Sequence, residues 1–152
     1  MKKSDNSNGD KSLKRKNIIR GYSIFSEILN DSKVIQTGFV KAYIHSKDKE
    51  PLNKKIFSPL DTLNVKVGFI IAKKSISKSV FRNRLKRLFR ESYRLNKLEP
   101  EAKGKIIYVI YTLSLNGYNH FKEFPLAKMS FVENEMKLLN SKIKLYLEEK
   151  YS

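Results

Sequence analysis

The segment SVFRNRLKRLFRESYR, residues 79–94, constrains the fold of this chain most, because it is rich in both cations and apolar side chains. At 3.6 residues per turn, the two kinds of side chain separate onto opposite faces of one helix. The apolar face carries Phe81, Leu85, Leu88 and Phe89. The other face carries a row of cations about one turn apart: Arg82, Lys86, Arg87, Arg90 and Arg94. The segment predicts a helix over about 78–97 that is buried on one side and binds a polyanion on the other.

The distribution of charge supports a binding face. The formal net charge is +17, and residues 73–97 hold ten Lys or Arg with one acid, Glu91. Residues 131–152 instead hold four Lys and four Glu. From composition alone, a solvated Lys-rich surface remains an alternative. Solvated helix faces usually mix both signs of charge, so the concentration around 73–97 favours a nucleic-acid interface.

Several classes of site are disfavoured by the residue types present. The chain has no Cys, which removes disulfides, thiol nucleophiles and Cys-ligated metals. No apolar run approaches the roughly 20 residues that span a bilayer, and the first residues show no signal-peptide pattern. We therefore expect a cytoplasmic protein that does not bind a membrane. His45 and His120 lack a neighbouring acidic cluster, so we assign no catalytic residue and no metal ligand.

The remaining pattern indicates one α+β domain over residues 18–152, preceded by a disordered basic arm over 1–17. The predicted elements, in order, are a helix at 22–29 capped by Ser23, strands at 33–45 and 65–72, the helix at 78–97, a strand at 104–112, and a helix at 125–150 with Pro125 in its first turn. Residues 46–64 and 113–124 are predicted loops, the first unusually long. The order αββαβα predicts a single sandwich of helices on a small sheet.

The basic segment also resembles a known signature. FRNRLKRLFRESYR is similar to the pattern Arg-Asn-Arg-x-Lys-Arg-x-x-Arg-Glu-x-aromatic-Arg of the bacterial ribonuclease P protein component. The fixed positions are met by Arg82, Asn83, Arg84, Lys86, Arg87, Arg90, Glu91, Tyr93 and Arg94. The preceding VGFIIAKKSISKSV resembles the strand and Lys-Lys lead-in of that family, with Lys73 and Lys74. Outside residues 65–94 the resemblance is one of pattern only.

The resemblance implies a fold and a function. The fold would be the ribosomal protein S5 domain 2-like sandwich, with a left-handed βαβ crossover against the general rule. The chain would be the accessory protein subunit of an endoribonuclease that matures the 5′ end of tRNA. Its partners would be ribonuclease P RNA and precursor tRNA, with no DNA. Catalysis and Mg²⁺ would belong to the RNA. Its RNA contacts would be Lys73, Lys74, Arg82, Asn83, Arg84, Lys86, Arg87, Arg90 and Arg94.

The resemblance further implies a cleft that binds the single-stranded 5′ leader of precursor tRNA. Residue by residue, its aromatic positions map to Phe25 and Tyr43, and its cations to Lys86 and Arg90. Aromatic faces stack on unpaired bases of any sequence, which suits leaders of varied sequence. A second aromatic position of the family is Leu29 here, so one stacking platform would be absent. Ordinary core packing remains the alternative for Phe25.

Other classes of function share part of this pattern. A basic ribosomal-type RNA-binding protein without a role in cleavage would show the same charge and size. A DNA-binding helix protein is disfavoured because the row is poor in the Gln and Asn that read bases. A membrane-surface helix is disfavoured because the flanking strands need its apolar face.

Overall fold

The computed structural model describes Leu13 and residues 17–48, 65–99 and 104–151, and within them it shows four helices and a four-stranded sheet. The elements in chain order are α1 (Tyr22–Asn30), β1 (Lys33–Gln36), β2 (Val40–Asp48), β3 (Val65–Phe69), α2 (Ser79–Leu95), β4 (Lys105–Leu113), α3 (Leu115–Glu123) and α4 (Met129–Tyr151). The predicted α+β class is confirmed. The predicted order αββαβα lacked one strand, β1, and one helix, α3.

The sheet has the strand order β1-β2-β4-β3. The β1–β2 and β2–β4 pairs are antiparallel, whereas β3 and β4 are parallel. Helix α2 follows β3 and precedes β4, so these three elements form the βαβ unit that parallel neighbours require. The left-handed sense of this crossover stays a prediction of the family resemblance.

The predicted strand at 33–45 was wrong in being continuous, because a turn at Thr37–Phe39 divides it into β1 and β2. The strands form a hairpin in which Lys33 pairs with Ile44 and Gln36 with Lys41. Glu135 of α4 holds the turn, since its Oε1 accepts hydrogen bonds from Thr37 Oγ1 at 3.2 Å and from Phe39 N at 3.1 Å. The residue that stabilises the turn is thus nearly 100 positions away in sequence.

The predicted loop at 113–124 was also wrong, because residues 115–123 form α3. Ser114 caps this helix, with its Oγ accepting a hydrogen bond from Gly117 N at 3.1 Å. At Gly117 an added Cβ would lie 2.1 Å from the Phe39 carbonyl oxygen. Gly117 is therefore a close-packing residue against the hairpin rather than a sign of a loop.

Two helix starts differ from their predictions. Gly21, with a φ of 97°, precedes α1, which has no side-chain cap, and Ser23 lies inside the helix. Helix α4 starts at Met129, so Pro125 lies in the linker after α3 rather than in a first turn. Both errors concern helix ends, where local signals compete with tertiary contacts.

The sheet separates two apolar clusters because successive strand residues point to opposite faces. The larger cluster joins one sheet face to α2 and α4, and Val40, Val67 and Val109 are among its buried strand residues. The smaller cluster joins the other face to α1, with Ile28 and Ile110 fully buried. The protein is thus a layered sandwich with α2 and α4 on one face and α1 on the other.

The predicted arm and long loop lie mostly outside the described residues. Leu13, however, packs partly buried against the larger cluster, and Asn17 Nδ2 donates to the Val65 carbonyl at 3.4 Å. Strand β2 extends to Asp48, so the predicted loop at 46–64 overlaps its last three residues. Residues 1–12, 14–16 and 49–64 are not among those described.

Candidate nucleic-acid interface

Helix α2 has the two faces that its periodicity predicts. Leu85 and Phe89 are buried at 0% and 1% exposure, and Tyr93 is also buried, whereas Asn83 and Arg87 are exposed. Burial of the inner side chains holds the backbone rigidly on the sheet and α4. The outer side chains are therefore presented on a fixed scaffold.

The exposed cations form a continuous basic surface. We define the basic row as Arg82, Lys86, Arg87, Arg90 and Arg94 of α2. Arg87 and Arg90 are exposed, and the other three are partly buried. Lys73 and Lys74, in the turn between β3 and α2, are also exposed. The surface can meet successive phosphates without first ordering a loop.

Arg82 makes contacts that the sequence did not indicate. Helix α2 has no side-chain cap, because its N-cap position is Lys78. Arg82 Nη1 instead donates to the carbonyl oxygens of Ile76 at 2.9 Å and Ser77 at 2.7 Å. One end of this guanidinium therefore stabilises the entry to the helix, and its other nitrogens remain to contact a ligand.

Arg84 is directed towards the protein rather than along the basic row. Its Nη2 donates to the Ala127 carbonyl at 2.7 Å, in the linker before α4. Its Nε is buried without a hydrogen-bond partner. The hydrogen bond from Nη2 joins α2 to the linker before α4, so the structure gives Arg84 a packing role beside the predicted RNA contact.

Arg94 is paired within the helix. Its Nε donates to Glu91 Oε1 at 3.2 Å, and Nη2 contacts the other carboxylate oxygen. The hydrogen bond from Arg94 lowers the pKa of Glu91 below its ordinary value. Part of the positive charge at the C-terminal end of the basic row is therefore offset in the free protein.

The two aromatic residues of the predicted leader cleft lie on the same face of the sheet, in the smaller cluster. Phe25 of α1 lies over Gly68 of β3, where an added Cβ would be 2.9 Å from its ring. Gly68 and Tyr43 both pair with Ile110. Tyr43 is therefore two strands from Gly68 in one row, about 10 Å away at the usual strand spacing.

Tyr43 lies beside a cation and is half-buried. Lys41 Nζ is 5.2 Å from the centroid of its ring. Helix α1 is fixed nearby by Glu27, which contacts His45 Nε2 and Lys47 Nζ, each at 3.4 Å. An aromatic ring with an adjacent ammonium group on a rigid sheet can stack on a base and attract its phosphate.

The predicted cations of the cleft belong to α2, which covers the opposite face of the sheet. The Arg90 guanidinium lies 5.9 Å from the ring centroid of Phe69. Phe69 follows Gly68 directly, so Arg90 and Phe25 flank consecutive residues of the edge strand β3 from its two sides. The aromatic and cationic side chains of the predicted cleft can therefore both reach a ligand at this edge. The contribution of Lys86 to the cleft stays a prediction.

Both histidines make contacts within the fold, and the Nε2 of His45 also contacts Glu27 at 3.4 Å. His45 Nδ1 is 2.6 Å from the Asp31 carbonyl oxygen. His120 is packed against several aromatic rings, with centroid distances of 5.1 Å to Phe39 and 4.8 Å to Phe121. Both rings therefore hold elements of the fold together.

Across the described ranges, no group of three or more His, Asp or Glu residues is placed to hold a metal ion. In the same ranges no helix is long and apolar enough to cross a membrane.

The family model and the relatives that match this sequence share one name. A sequence model of the family described as Ribonuclease P matches residues 13–124. The Ribonuclease P protein component of Chlorobium phaeobacteroides is 30% identical over 126 residues, which cover 77% of this chain and 81% of that protein. The one from Alkaliphilus oremlandii is 37% identical over 78 residues, which cover 51% of this chain and 65% of the relative.

The solved structures that align with this chain are also RNase P proteins. The Staphylococcus aureus RNase P protein aligns with a TM-score of 0.58 at 16% identity, covering 84% of this chain and 95% of that one. The RNase P protein from Thermotoga maritima aligns with a TM-score of 0.57 at 20% identity, covering 82% and 96%. At such low identity these alignments establish the shared fold.

Proposed function

The chain belongs to the bacterial ribonuclease P protein family, and from this premise we propose that it binds ribonuclease P RNA and the 5′ leader of precursor tRNA. It is a protein subunit of this endoribonuclease, and it promotes 5′ maturation of tRNA. The observation that carries the proposal is the basic row on a helix whose other face is buried. The cytoplasm is the compartment in which we place this activity.

The basic row supplies affinity for the catalytic RNA. Arg side chains grip phosphates with two donors and stay charged near neutral pH. Binding then releases counterions from the RNA, which makes affinity fall as salt rises. Because Arg87 and Arg90 are exposed on a packed helix, no backbone has to be ordered when they meet phosphates, and the entropic cost is confined to their side chains.

The surface around Phe25 and Tyr43 supplies affinity for the leader. Each base stacked on an aromatic ring contributes about 1–3 kcal/mol with little sequence preference. In this proposal Tyr43 is the stronger platform, because Phe25 also packs over Gly68. Leu29, 42% exposed on α1, adds apolar contact without a π-face.

The hydrolytic step belongs to the partner RNA in this proposal, and the RNA holds the Mg²⁺ that serves it. The chain contributes positive charge, which offsets repulsion between the RNA subunit and the precursor. Less Mg²⁺ is then needed to bring the two RNAs together. The protein's effect should therefore be largest at low Mg²⁺.

Cleavage of precursor tRNA at low Mg²⁺ tests this proposal, with the cognate ribonuclease P RNA present or absent and the protein present or absent. We expect correct 5′ cleavage only when both are present. If the protein binds the RNA but leaves cleavage unchanged at every Mg²⁺ concentration, it is a general RNA-binding protein of the ribosomal type instead.

A leader-length series tests the cleft separately. Tyr43→Leu should weaken binding of long-leader precursors by about 1–3 kcal/mol and leave leaderless tRNA unaffected. Tyr146→Leu is the matched control, because Tyr146 lies on α4, whose helix packs on the opposite face of the sheet. Equal effects of Tyr43→Leu on both RNAs would remove Tyr43 from the leader site.

A further inference from the structure

A polar pocket lies between α4 and the segment that follows α2. Its volume is about 450 Å³, within the range of small-ligand sites. Its lining comes from residues 96–99 and from the face of α4 that carries Lys137, Asn140, Ser141 and Lys144. The pocket adjoins the C-terminal end of the basic row, and α4 packs on the face of the sheet opposite the leader cleft.

The floor of the pocket is held by a buried hydrogen-bond network. Asn140 is 7% exposed, and its Oδ1 accepts from the Tyr111 hydroxyl at 2.7 Å. Its Nδ2 donates to the Asn96 carbonyl at 2.8 Å. These bonds tie α4 to the central strand β4 and to the end of α2. The walls are therefore positioned before any ligand arrives.

Lysines approach this floor from both walls. Lys137 and Lys144 are seven residues apart, two turns along one face of α4. Lys97 lines the opposite wall. Glu99 is the one acid that lines the pocket. Glu133 adjoins the same wall, since its Oε2 accepts from Asn96 Nδ2 at 3.4 Å and pairs with Lys137 Nζ at 3.9 Å. Three ammonium groups therefore meet two carboxylates, and a small excess of positive charge remains.

The lysines of α4 are accessible to a ligand. Lys137 is 57% exposed, although its Nζ forms an ion pair with Glu133 Oε2 at 3.9 Å. Within the described part of the chain, Lys144 is exposed and forms no ion pair. Lysine ammonium groups are compact charges with three donors each, which suits the oxygens of a phosphate group.

The helix end beside the pocket does not oppose an anion strongly. Free carbonyls at a helix C-terminus carry partial negative charge. Here Asn96 N donates to the Tyr93 carbonyl at 2.9 Å, and Asn96 Nδ2 donates to the Ser92 carbonyl at 2.9 Å. These carbonyls are satisfied within the protein, so they oppose an anion less than free carbonyls would.

We propose that this pocket is a second phosphate-binding site. The basic row ends at Arg94, and Lys97 follows three residues later, so an RNA strand that lies along the row reaches the pocket at its C-terminal end. The ligand is then a backbone phosphate of that RNA, and this source rests on the proposed function. Free inorganic phosphate is the other ligand that offers the same oxygens, and its binding to the pocket does not depend on the proposed function.

Paired substitutions on α4 test the site. Lys144→Gln removes a pocket charge, and Lys142→Gln removes the same charge from the same helix outside the pocket, where Lys142 Nζ is 3.4 Å from the Gln36 carbonyl of β1. The salt dependence of binding to ribonuclease P RNA is measured for both variants. We expect the log–log slope to become shallower by about 0.7–0.9 in Lys144→Gln and to stay unchanged in Lys142→Gln.

A second measurement distinguishes the sources of phosphate. The rise of the melting temperature with inorganic phosphate is compared between the same variants. Equal RNA slopes with a smaller phosphate effect in Lys144→Gln alone would assign the pocket to free phosphate. Equal behaviour of the variants in both assays overturns the proposal. If the unmodified protein binds no RNA, the proposed function fails, and the inorganic phosphate assay alone decides the site.

Discussion

Helices α2 and α4 pack against each other on the same face of the sheet, and they differ mainly in what they expose. Their inner sides are equivalent: Leu85 on α2 and Leu139 on α4 are both fully buried. The outer side of α2 carries the basic row, offset only by Glu91. The outer side of α4 mixes lysines and glutamates, together with the exposed Leu138 and Leu145.

This difference separates the requirements of folding from those of binding. Both inner sides satisfy the same need to bury apolar surface against the sheet. Mixed charge is sufficient to keep the outer side of α4 solvated, so folding does not require the outer side of α2 to carry charge of a single sign. It raises self-repulsion, which an RNA partner relieves. The following substitutions test how far the two helices are alike inside and different outside.

The largest effects should come from the inner sides. Leu85→Ala and Leu139→Ala should each lower the free energy of unfolding by about 2–5 kcal/mol, because each leaves a cavity. Urea unfolding measures this. Leu138→Ala, with 57% of the side chain exposed, should change it by less than about 0.5 kcal/mol. A large loss in Leu138→Ala would show that the outer side of α4 is covered.

The outer sides should differ in RNA binding. Arg87→Ala combined with Arg90→Ala should make the log–log salt slope shallower by about two, one for each phosphate contact. Lys142→Ala on α4 should leave it unchanged. Loss of the Arg90 contact with Phe69 costs at most about 1 kcal/mol of stability at an exposed site. A salt slope insensitive to the double substitution would contradict the assignment of the basic row.

Arg84 should behave as a residue of the inner side although it belongs to the arginine motif. Arg84→Ala leaves the Ala127 carbonyl without its donor, and should lower the free energy of unfolding by about 1–3 kcal/mol. Arg87→Ala, on the exposed side, is the control and should have little effect on unfolding. An Arg84→Ala variant with unchanged stability and a shallower RNA salt slope would return Arg84 to the RNA contacts.

The smallest effect should come from Glu91, the acid that gives the C-terminal end of α2 a mixed charge like that of α4. Glu91→Gln removes a negative charge beside Arg94, so RNA affinity at neutral pH should rise slightly. Because the pKa of Glu91 is lowered below 4.5 in the folded protein, its ion pair stabilises the fold above that pH and is lost as the pH falls through the lowered pKa. Unfolding measured at neutral and acid pH should therefore show the variant and the original protein converging in acid.

The sequence predicted the elements whose signals are local. The helix predicted at 78–97 is observed at Ser79–Leu95, because a period of 3.6 residues is a property of the segment itself. The turn between β1 and β2 was missed because the apolar pattern continues across it. Its stabilising partner, Glu135, lies on a helix that the hairpin meets only in the folded state.

Helix α3 was missed for a related reason. Asn116 and Gly117 indicate a loop by composition, but Gly117 is there because it packs against the Phe39 carbonyl. Ser114 supplies the cap that starts the helix. The close contact with the turn before β2 that makes glycine necessary arises only when the two segments meet.

The sequence by itself determined that this protein has one amphipathic cationic helix, since charge and periodicity are written in adjacent residues. Only the tertiary structure decided which of its cations face outward unpaired. Arg84 is turned inward because the carbonyl it binds, at Ala127, is 43 residues away in the chain. The pocket beside Lys97 and Lys144 exists because Asn140 joins α4 to the end of α2. Residues that are distant in sequence come into contact only on folding, so no local sequence pattern shows which side chains they will bind.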